Sequence, residues 1–377
     1  MNFDFSEDQK TLKDEARRVL SAKCDIKLVR EALDGSASAV SSVWSALVEL
    51  GWHGAAISEE YGGLGLGYLE LCMLSEEIGR ALVPAAFSSS VYLAAEALQI
   101  AGGEGQKKRI LPGVASGERI GAFALAEGVG PFAPSAIKTV FDKGVLNGVK
   151  TAVPDGEQAD FAVVAARNAN GAGPEEVVLC VVELDQPGVA RRPLKTIDPT
   201  RAHAELKFDN AYAELLGDGK EGWARIEEIV DRAAVLFAFE QIGGADRCLE
   251  IARDYAVERY SFGRPVGSFQ AIKHRLADMY IKNQIARGHA YYGAWALSTD
   301  APEMALAAAG ARVSAIDAYE FASKENMQIH GGIGITWEAD CHMFHRRAKL
   351  LASTIGNRRY WSERLVQCVE AENGAGL

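Results

Sequence analysis

Two segments late in the chain carry residue types suited to gripping an anion. The first is Arg259-Tyr260-Ser261-Phe262-Gly263-Arg264-Pro265-Val266-Gly267-Ser268-Phe269-Gln270, an arginine, an aromatic–glycine pair and a glutamine in an R-x-x-F-G-x-x-x-x-x-x-Q pattern. The second is Gln328-Ile329-His330-Gly331-Gly332-Ile333-Gly334, running on to Thr336-Trp337-Glu338. A guanidinium offers a fork of donors that matches a pyrophosphate. Glycines let backbone amides approach phosphate closely, and a helix N-terminus adds favourable partial charge. Glutamine hydrogen-bonds polar edges without adding charge. This chemistry fits a dinucleotide. Taken singly, each segment is equally a capped, solvated helix corner with an ordinary surface arginine. A third loop, Glu60-Tyr61-Gly62-Gly63-Leu64-Gly65-Leu66-Gly67, could cradle phosphate. No strand precedes it and no Lys-Ser/Thr follows, so it reads as a flexible loop against a ligand cleft.

Three kinds of element must position these segments. Ser6-Glu7-Asp8-Gln9 has the form of a capping box, followed by Leu12, Ala16, Val19 and Leu20 at helical spacing. Helical patterns continue through 44–50, 69–82 and 89–101. From about residue 118 the period changes. The β-rich runs 138–141, 145–153, 161–166 and 177–184 are split by turns at Asp142-Lys143-Gly144 and over 168–173. After Gly222 long amphipathic helices return, over about 224–258, 268–298, 301–329 and 339–371, which implies a bundle. The expected fold is mostly α within an α+β class: an N-terminal helical domain over 1–117, a small antiparallel β domain over 118–218 and a C-terminal four-helix bundle over 219–377.

Both late motifs, the Glu59-Glu60-Tyr61-Gly62-Gly63-Leu64-Gly65 stretch and the helical–β–helical order resemble the acyl-CoA dehydrogenases over essentially the whole chain. The resemblance implies an FAD-dependent oxidoreductase of lipid metabolism that takes an acyl-CoA. It also implies that Arg259, Phe262, Gln270, Gln328, Gly331 and Gly332 hold the adenosine diphosphate half of an FAD belonging to a neighbouring subunit, hence an oligomer. The Thr336-Trp337-Glu338 variant and the chain length further resemble bacterial paired-subunit members, such as those acting on sterol side chains and the small subunit of pimeloyl-CoA dehydrogenases.

The same match exposes departures. The family reaction needs a carboxylate base on the substrate side of the flavin. Its two usual positions fall on Ile355, before Gly356-Asn357, and on Ala233 in the helix leading to Arg259. Neither side chain takes a proton. Asp231 lies two residues before Ala233, on another helical face. Glu240 lies seven after it, on the same face and about 10 Å further along. These are the substitute candidates, and both are equally acids that cap or pair. In the β domain the stretch Phe123-Ala124-Leu125-Ala126-Glu127-Gly128, with Phe132, and the stretch Ala152-Val153-Pro154 replace family hydroxyls near the flavin ring by Ala126 and Pro154. Gly121, Ala124, Ala126 and Ala152 would leave room for a bulky acyl group or allow close packing.

The remaining composition narrows the alternatives. A net charge of −11 over 377 residues argues against nucleic acid or an anionic membrane as a partner. No run of about 18 apolar residues exists to insert in a membrane. Six scattered cysteines show no metal-ligand spacing. Reduced thiols and the acidic start Met1-Asn2-Phe3-Asp4-Phe5-Ser6-Glu7 point to a cytoplasmic protein. Three functions follow: the base-less subunit of a hetero-oligomeric dehydrogenase with a catalytic homologue, a self-sufficient homo-oligomer whose base is relocated to Glu240 or Asp231, or a non-enzymatic acyl-CoA or flavin-binding scaffold.

Overall fold

The computed structural model describes residues 5–130, 132–169, 171 and 173–374. Met1–Asp4 of the acidic start, and Asn170 and Ala172 of the expected 168–173 turn, lie outside the described residues. The architecture is an N-terminal helical domain, a middle β domain and a C-terminal helical domain. The chain divides into two compact units. One comprises Met1–Glu31, Tyr68–Val83 and Ala234–Leu377, the other Ala32–Gly67 and Pro84–Ala233.

The first unit is helical. Its opening helix, Glu7–Lys23, starts with a complete capping box: the Gln9 amide donates to Ser6 Oγ at 3.2 Å and the Ser6 amide to Gln9 Oε1 at 2.9 Å. The helix Tyr68–Arg80 buries two acids. Arg17 binds Glu77 bidentately, while Lys13 and Arg287 meet Glu76 at 2.6 and 2.9 Å. Tyr68–Arg80 crosses Gly222–Glu258 at two glycines that leave no room for a side chain. A Cβ on Gly79 would lie 1.8 Å from the Glu240 carbonyl oxygen, and one on Gly243 1.8 Å from that of Glu76. Gln270–Ser298 and Met304–His330 complete the long helices. The single helix expected over 339–371 is instead two, Cys341–Leu351 and Arg358–Gly374. Its helical period is unbroken in sequence, but Ile355 and Gly356 take left-handed φ values of 54° and 110°.

The second unit holds the sheet. Its strands are β1 (Gly121–Ala124), β2 (Val140–Asp142), β3 (Val145–Pro154), β4 (Phe161–Asn168), β5 (Val177–Glu183), β6 (Val189–Pro193), β7 (His203–Tyr212) and β8 (Glu214–Leu215). The order is β6-β7-β3-β2-β4-β5-β8, with β1 beside β4. Most pairings are antiparallel, but β1 and β2 both run parallel to β4. Strands of three or four residues are too short to show an alternation, so sequence did not reveal these pairings. Lys143 and Gly144, both left-handed, close the β2–β3 hairpin as a two-residue turn. Alternate residues such as Leu146, Val164, Cys180 and Leu206 form the core.

The helical pattern expected over 89–101 is a π-helix over Ser88–Ala95 that passes into an α-helix over Glu96–Ala101. Its serines serve the β domain: Arg201 donates to Ser88 Oγ at 2.6 Å, Ser89 donates to Asp155 Oδ2 at 2.7 Å, and the Gly121 amide donates to Ser90 Oγ at 2.9 Å. Such hydroxyl bonding competes with regular helical geometry. In the same unit His53 is fully buried between the rings of Trp44 (4.1 Å) and Phe87 (5.3 Å). Neither of its nitrogens has a partner among the described residues, and burial pulls its pKa down to about 4. Among the described residues no helix is long and apolar enough to cross a membrane.

Candidate functional site

Gly222–Glu258 ends one residue before Arg259, and a small hairpin follows, pairing Tyr260–Ser261 with Arg264–Pro265. Its two-residue turn is Phe262-Gly263, with φ of 53° and 78°, the left-handed pair that matches strand twist. This turn thrusts Phe262 into solvent at 94% exposure. Arg264 lies over the Phe269 ring at 3.9 Å, just ahead of Gln270 at the start of the next helix.

Met304–His330 ends at Gly331, whose φ of 63° favours glycine. The Tyr255 and His330 rings stack with centroids 4.0 Å apart, and the Tyr255 hydroxyl donates to the His330 carbonyl at 3.4 Å. The two helix ends that carry the motifs are thereby joined. His330 Nδ1 donates to the Asn326 carbonyl at 2.8 Å. Burial, opposed by this bond, holds the imidazole below its usual pKa. The following loop is clamped by Arg30, which donates to the Trp337 carbonyl at 2.7 Å and pairs with Asp340.

Arg259, Gln270, Gln328, Gly331 and Gly332 are all exposed. Among the described residues the side chains of Arg259, Gln270 and Gln328 make no hydrogen bond or ion pair. Open space lies where a Cβ on Gly331 or Gly332 would stand. A free guanidinium, two uncommitted side-chain amides and a glycine pair with open space beside it are the kinds of group that suit a diphosphate.

The positions expected from the sequence to match the family base, Ala233 and Ile355, are differently made. Ala233 is a fully buried methyl, and Asp231 is buried on the same helix. Ile355 sits on the turn between Cys341–Leu351 and Arg358–Gly374. A β-branched residue with φ of 54° is strained there. The turn is gripped from below by Arg312, a fully buried arginine that donates to the carbonyls of Leu351 and Thr354 (2.8 Å for the latter) and to Gln241 Oε1. Burial lowers the Arg312 pKa to about 9, with the Glu240 charge opposing. Glu240 is itself fully buried and pairs with Arg347 at 3.7 Å. Arg347 in turn reaches the carbonyls of Leu82 (3.3 Å) and Val83 (3.4 Å).

In the β domain Ala126 is exposed and its carbonyl accepts from the Thr151 amide at 2.8 Å. Pro154 pairs with His203, and Ala152 sits in a bulge with φ of 50°. Phe132 packs on Trp223 at 5.3 Å. A Cβ on Gly121 would lie 2.5 Å from that of Ala94, so close packing accounts for this glycine. The buried Lys150 Nζ meets Glu127 Oε1 at 2.5 Å and the Leu125 carbonyl at 3.1 Å. Burial draws Lys150 down to about 8. Burial alone would raise the Glu127 carboxyl, but Lys150 and Thr139 outweigh it and hold it below the usual range. Neither Ala126 nor Pro154 offers a hydroxyl for a flavin ring.

Sequence reasoning missed Tyr255, His330, Arg312 and Lys150. Arg312 had a signal, a lone cation after Ala-Ala-Ala-Gly-Ala on a helix of small residues. The stack had none, because its rings are 75 residues apart.

Comparison with known proteins gives the family. Profiles of the acyl-CoA dehydrogenase N-terminal, middle and C-terminal domains match residues 6–118, 122–211 and 220–361. The chain is 31% identical over 361 residues to the acyl-CoA dehydrogenase IpdE2 of Mycobacterium tuberculosis, covering 95% of this chain and 96% of that one. It superposes on a chain of a Tcur3481–Tcur3483 steroid ACAD variant with a TM-score of 0.85 and 30% identity, covering 98% and 99% of the two chains. A chain of the ChsE4–ChsE5 complex from Mycobacterium tuberculosis gives a TM-score of 0.86 at 25% identity, with the same coverage. Three domains in family order, with an open donor set on linked helix ends, make this chain a member of the acyl-CoA dehydrogenase family of FAD-dependent flavoprotein oxidoreductases.

Proposed function

We propose that this chain is the base-less subunit of a hetero-oligomeric acyl-CoA dehydrogenase, working with a catalytic homologue in the α,β-dehydrogenation of an acyl-CoA thioester. The observation that carries the reading is an asymmetry. The Arg259 face is open and uncommitted, while Ile355 and Ala233 stand where a proton acceptor is required. FAD, when bound, supplies the hydride acceptor. Of this chain's residues, Arg259 would meet the pyrophosphate, and the Gly331–Gly332 turn, with no side chain in the way, would let it come close. Phe262 would offer an apolar face, and Gln270 and Gln328 would bond polar edges. The boundaries 1–117, 118–218 and 219–377, a dimer-of-dimers assembly and a cytoplasmic location belong to the same reading. IpdE2 and the steroid ACAD are whole-length relatives in support of it. A self-sufficient enzyme with Glu240 as base has less support, since that carboxylate is engaged with Arg347. Asp231 is buried beside Ala233 and has no observation in its favour.

The test is co-purification. Expressed alone, the chain should be colourless and inert toward acyl-CoA. Co-expressed with a homologue bearing a glutamate at either base position, it should yield a yellow complex whose flavin bleaches on acyl-CoA addition. A yellow, active, partner-free chain would refute the reading.

A further inference from the structure

We propose that Tyr255 and His330 are positioning residues that hold the two dinucleotide-binding arms at a fixed spacing. The inference rests on the reading above, in which Arg259 and Gly331–Gly332 take the diphosphate of FAD. Tyr255 lies one hydrogen-bonded turn before Arg259, and His330 lies directly before Gly331. The Arg259 amide donates to the Tyr255 carbonyl at 2.8 Å, so the arginine's backbone is built directly on the residue that carries the phenol ring. His330 immediately precedes Gly331, whose amide donates to the Gln328 carbonyl. The imidazole is fixed on its own helix by the Nδ1 bond to Asn326 and across helices by the stack on Tyr255. The interplanar angle of 25° and the hydroxyl bond to the His330 carbonyl fix the rotation as well as the distance. Arg259 itself makes no side-chain hydrogen bond or ion pair that would set its position among the described residues. A guanidinium and a glycine pair grip one diphosphate more tightly when their separation is set beforehand, because less ordering is left to binding. The Tyr255–His330 stack is the contact beside both arms that sets it, with the Arg312–Gln241 bond joining the same two helices further back.

The experiment uses the flavin-bearing assembly isolated through this chain. The flavin is stripped, FAD is titrated back by fluorescence quenching, and the melting temperature of each apo-form is recorded alongside. An aromatic pair of this geometry predicts that Tyr255→Leu or His330→Leu weakens FAD by roughly 2- to 12-fold. Tyr255→Phe and His330→Phe keep a ring and should restore nearly all of it. In an Arg259→Ala background, Tyr255→Leu should cost markedly less than in the parent, because the arm it positions is gone. A purely structural role would lower the melting temperature and multiply with Arg259→Ala unchanged, and that result overturns the proposal. Unaltered FAD affinity in Tyr255→Leu, where Arg259→Ala does weaken binding, overturns it too. If Arg259→Ala itself has no effect, the underlying reading fails whatever Tyr255 does. Should Tyr255→Leu not fold, His330→Gln, which loses the ring but keeps a donor for Asn326, carries the same comparison.

Discussion

Glu240 can be either a relocated base or an internal counter-ion, and one substitution separates the two. Its carboxylate lies 3.7 Å from the Arg347 guanidinium, with side-chain exposures of 0% and 1%. At an effective dielectric of about 20, charges at that distance attract by about 4 kcal/mol. Glu240→Gln removes the anion that Arg347 pairs with, while the buried guanidinium keeps its bonds to the carbonyls of Leu82 and Val83. It also withdraws the charge that supports Arg312. Breaking a buried pair from one side costs about 3–5 kcal/mol, which agrees with the Coulomb figure. Urea unfolding of the full chain, followed by tryptophan fluorescence, should therefore show a large loss of stability. The double variant Glu240→Leu/Arg347→Met should recover most of it, since neither charge is then stranded. Acyl-CoA-dependent flavin bleaching in the assembly should follow the folded fraction and nothing else. Glu240→Gln with unchanged unfolding and abolished bleaching would refute the counter-ion account and make Glu240 the base.

Gly243→Ala should destabilise by about 3 kcal/mol or more in thermal unfolding, because its methyl would stand 1.8 Å from the Glu76 carbonyl. Gly288→Ala, mid-helix and facing open space, should instead stabilise by about 0.5–1 kcal/mol. His53 has a folded pKa of about 4 against 6.5 when unfolded, so the unfolded chain binds the proton first. Stability should fall as pH drops from about 6.5 to about 4, by up to about 3 kcal/mol, and His53→Phe should remove that part of the slope in pH-dependent denaturation. FAD titration should show Arg259→Ala weakening binding roughly 10–150-fold, Gln328→Ala less and Pro154→Ala hardly at all; the reverse order would make this chain the holder of the flavin ring. Ile355→Glu should not yield an efficient partner-free dehydrogenase in an acyl-CoA turnover assay, since Ala126 and Pro154 still lack the hydroxyls for the ring.

What could be seen in the sequence was local. The Ser6–Gln9 capping box, the long helices up to residue 330 and the strands β3 to β5 rest on patterns within one element, and the structure contains them. The break at Ile355 had a signal, Gly356-Asn357, in which Asn357 Oδ1 accepts from the Tyr360 amide at 3.0 Å to cap the next helix. The hold of Arg312 on the Leu351 and Thr354 carbonyls comes from a distant part of the chain. The parallel pairing of β1 with β4 joins residues 40 apart through four-residue registers. The serines of the π-helix are bonded to Asp155 and Arg201, far along the chain. At the site, the motif residues were legible by type, because an exposed arginine and paired glycines carry their chemistry in their identity. The rings that join them were not, since stacking is a relation between two distant positions.

The crossing of Tyr68–Arg80 with Gly222–Glu258 also governs how this chain can drift. At Gly79 and Gly243 the two backbones touch, and each glycine is excluded from change by the other helix rather than by any ligand. Altering one cannot be compensated by altering the other, because both are already the smallest residue. In a set of related sequences the pair would stand as invariant as a catalytic group while touching neither substrate nor cofactor. Invariance at these positions would measure the distance between two helix axes, and it should be discounted before any such position is taken as a sign of chemistry.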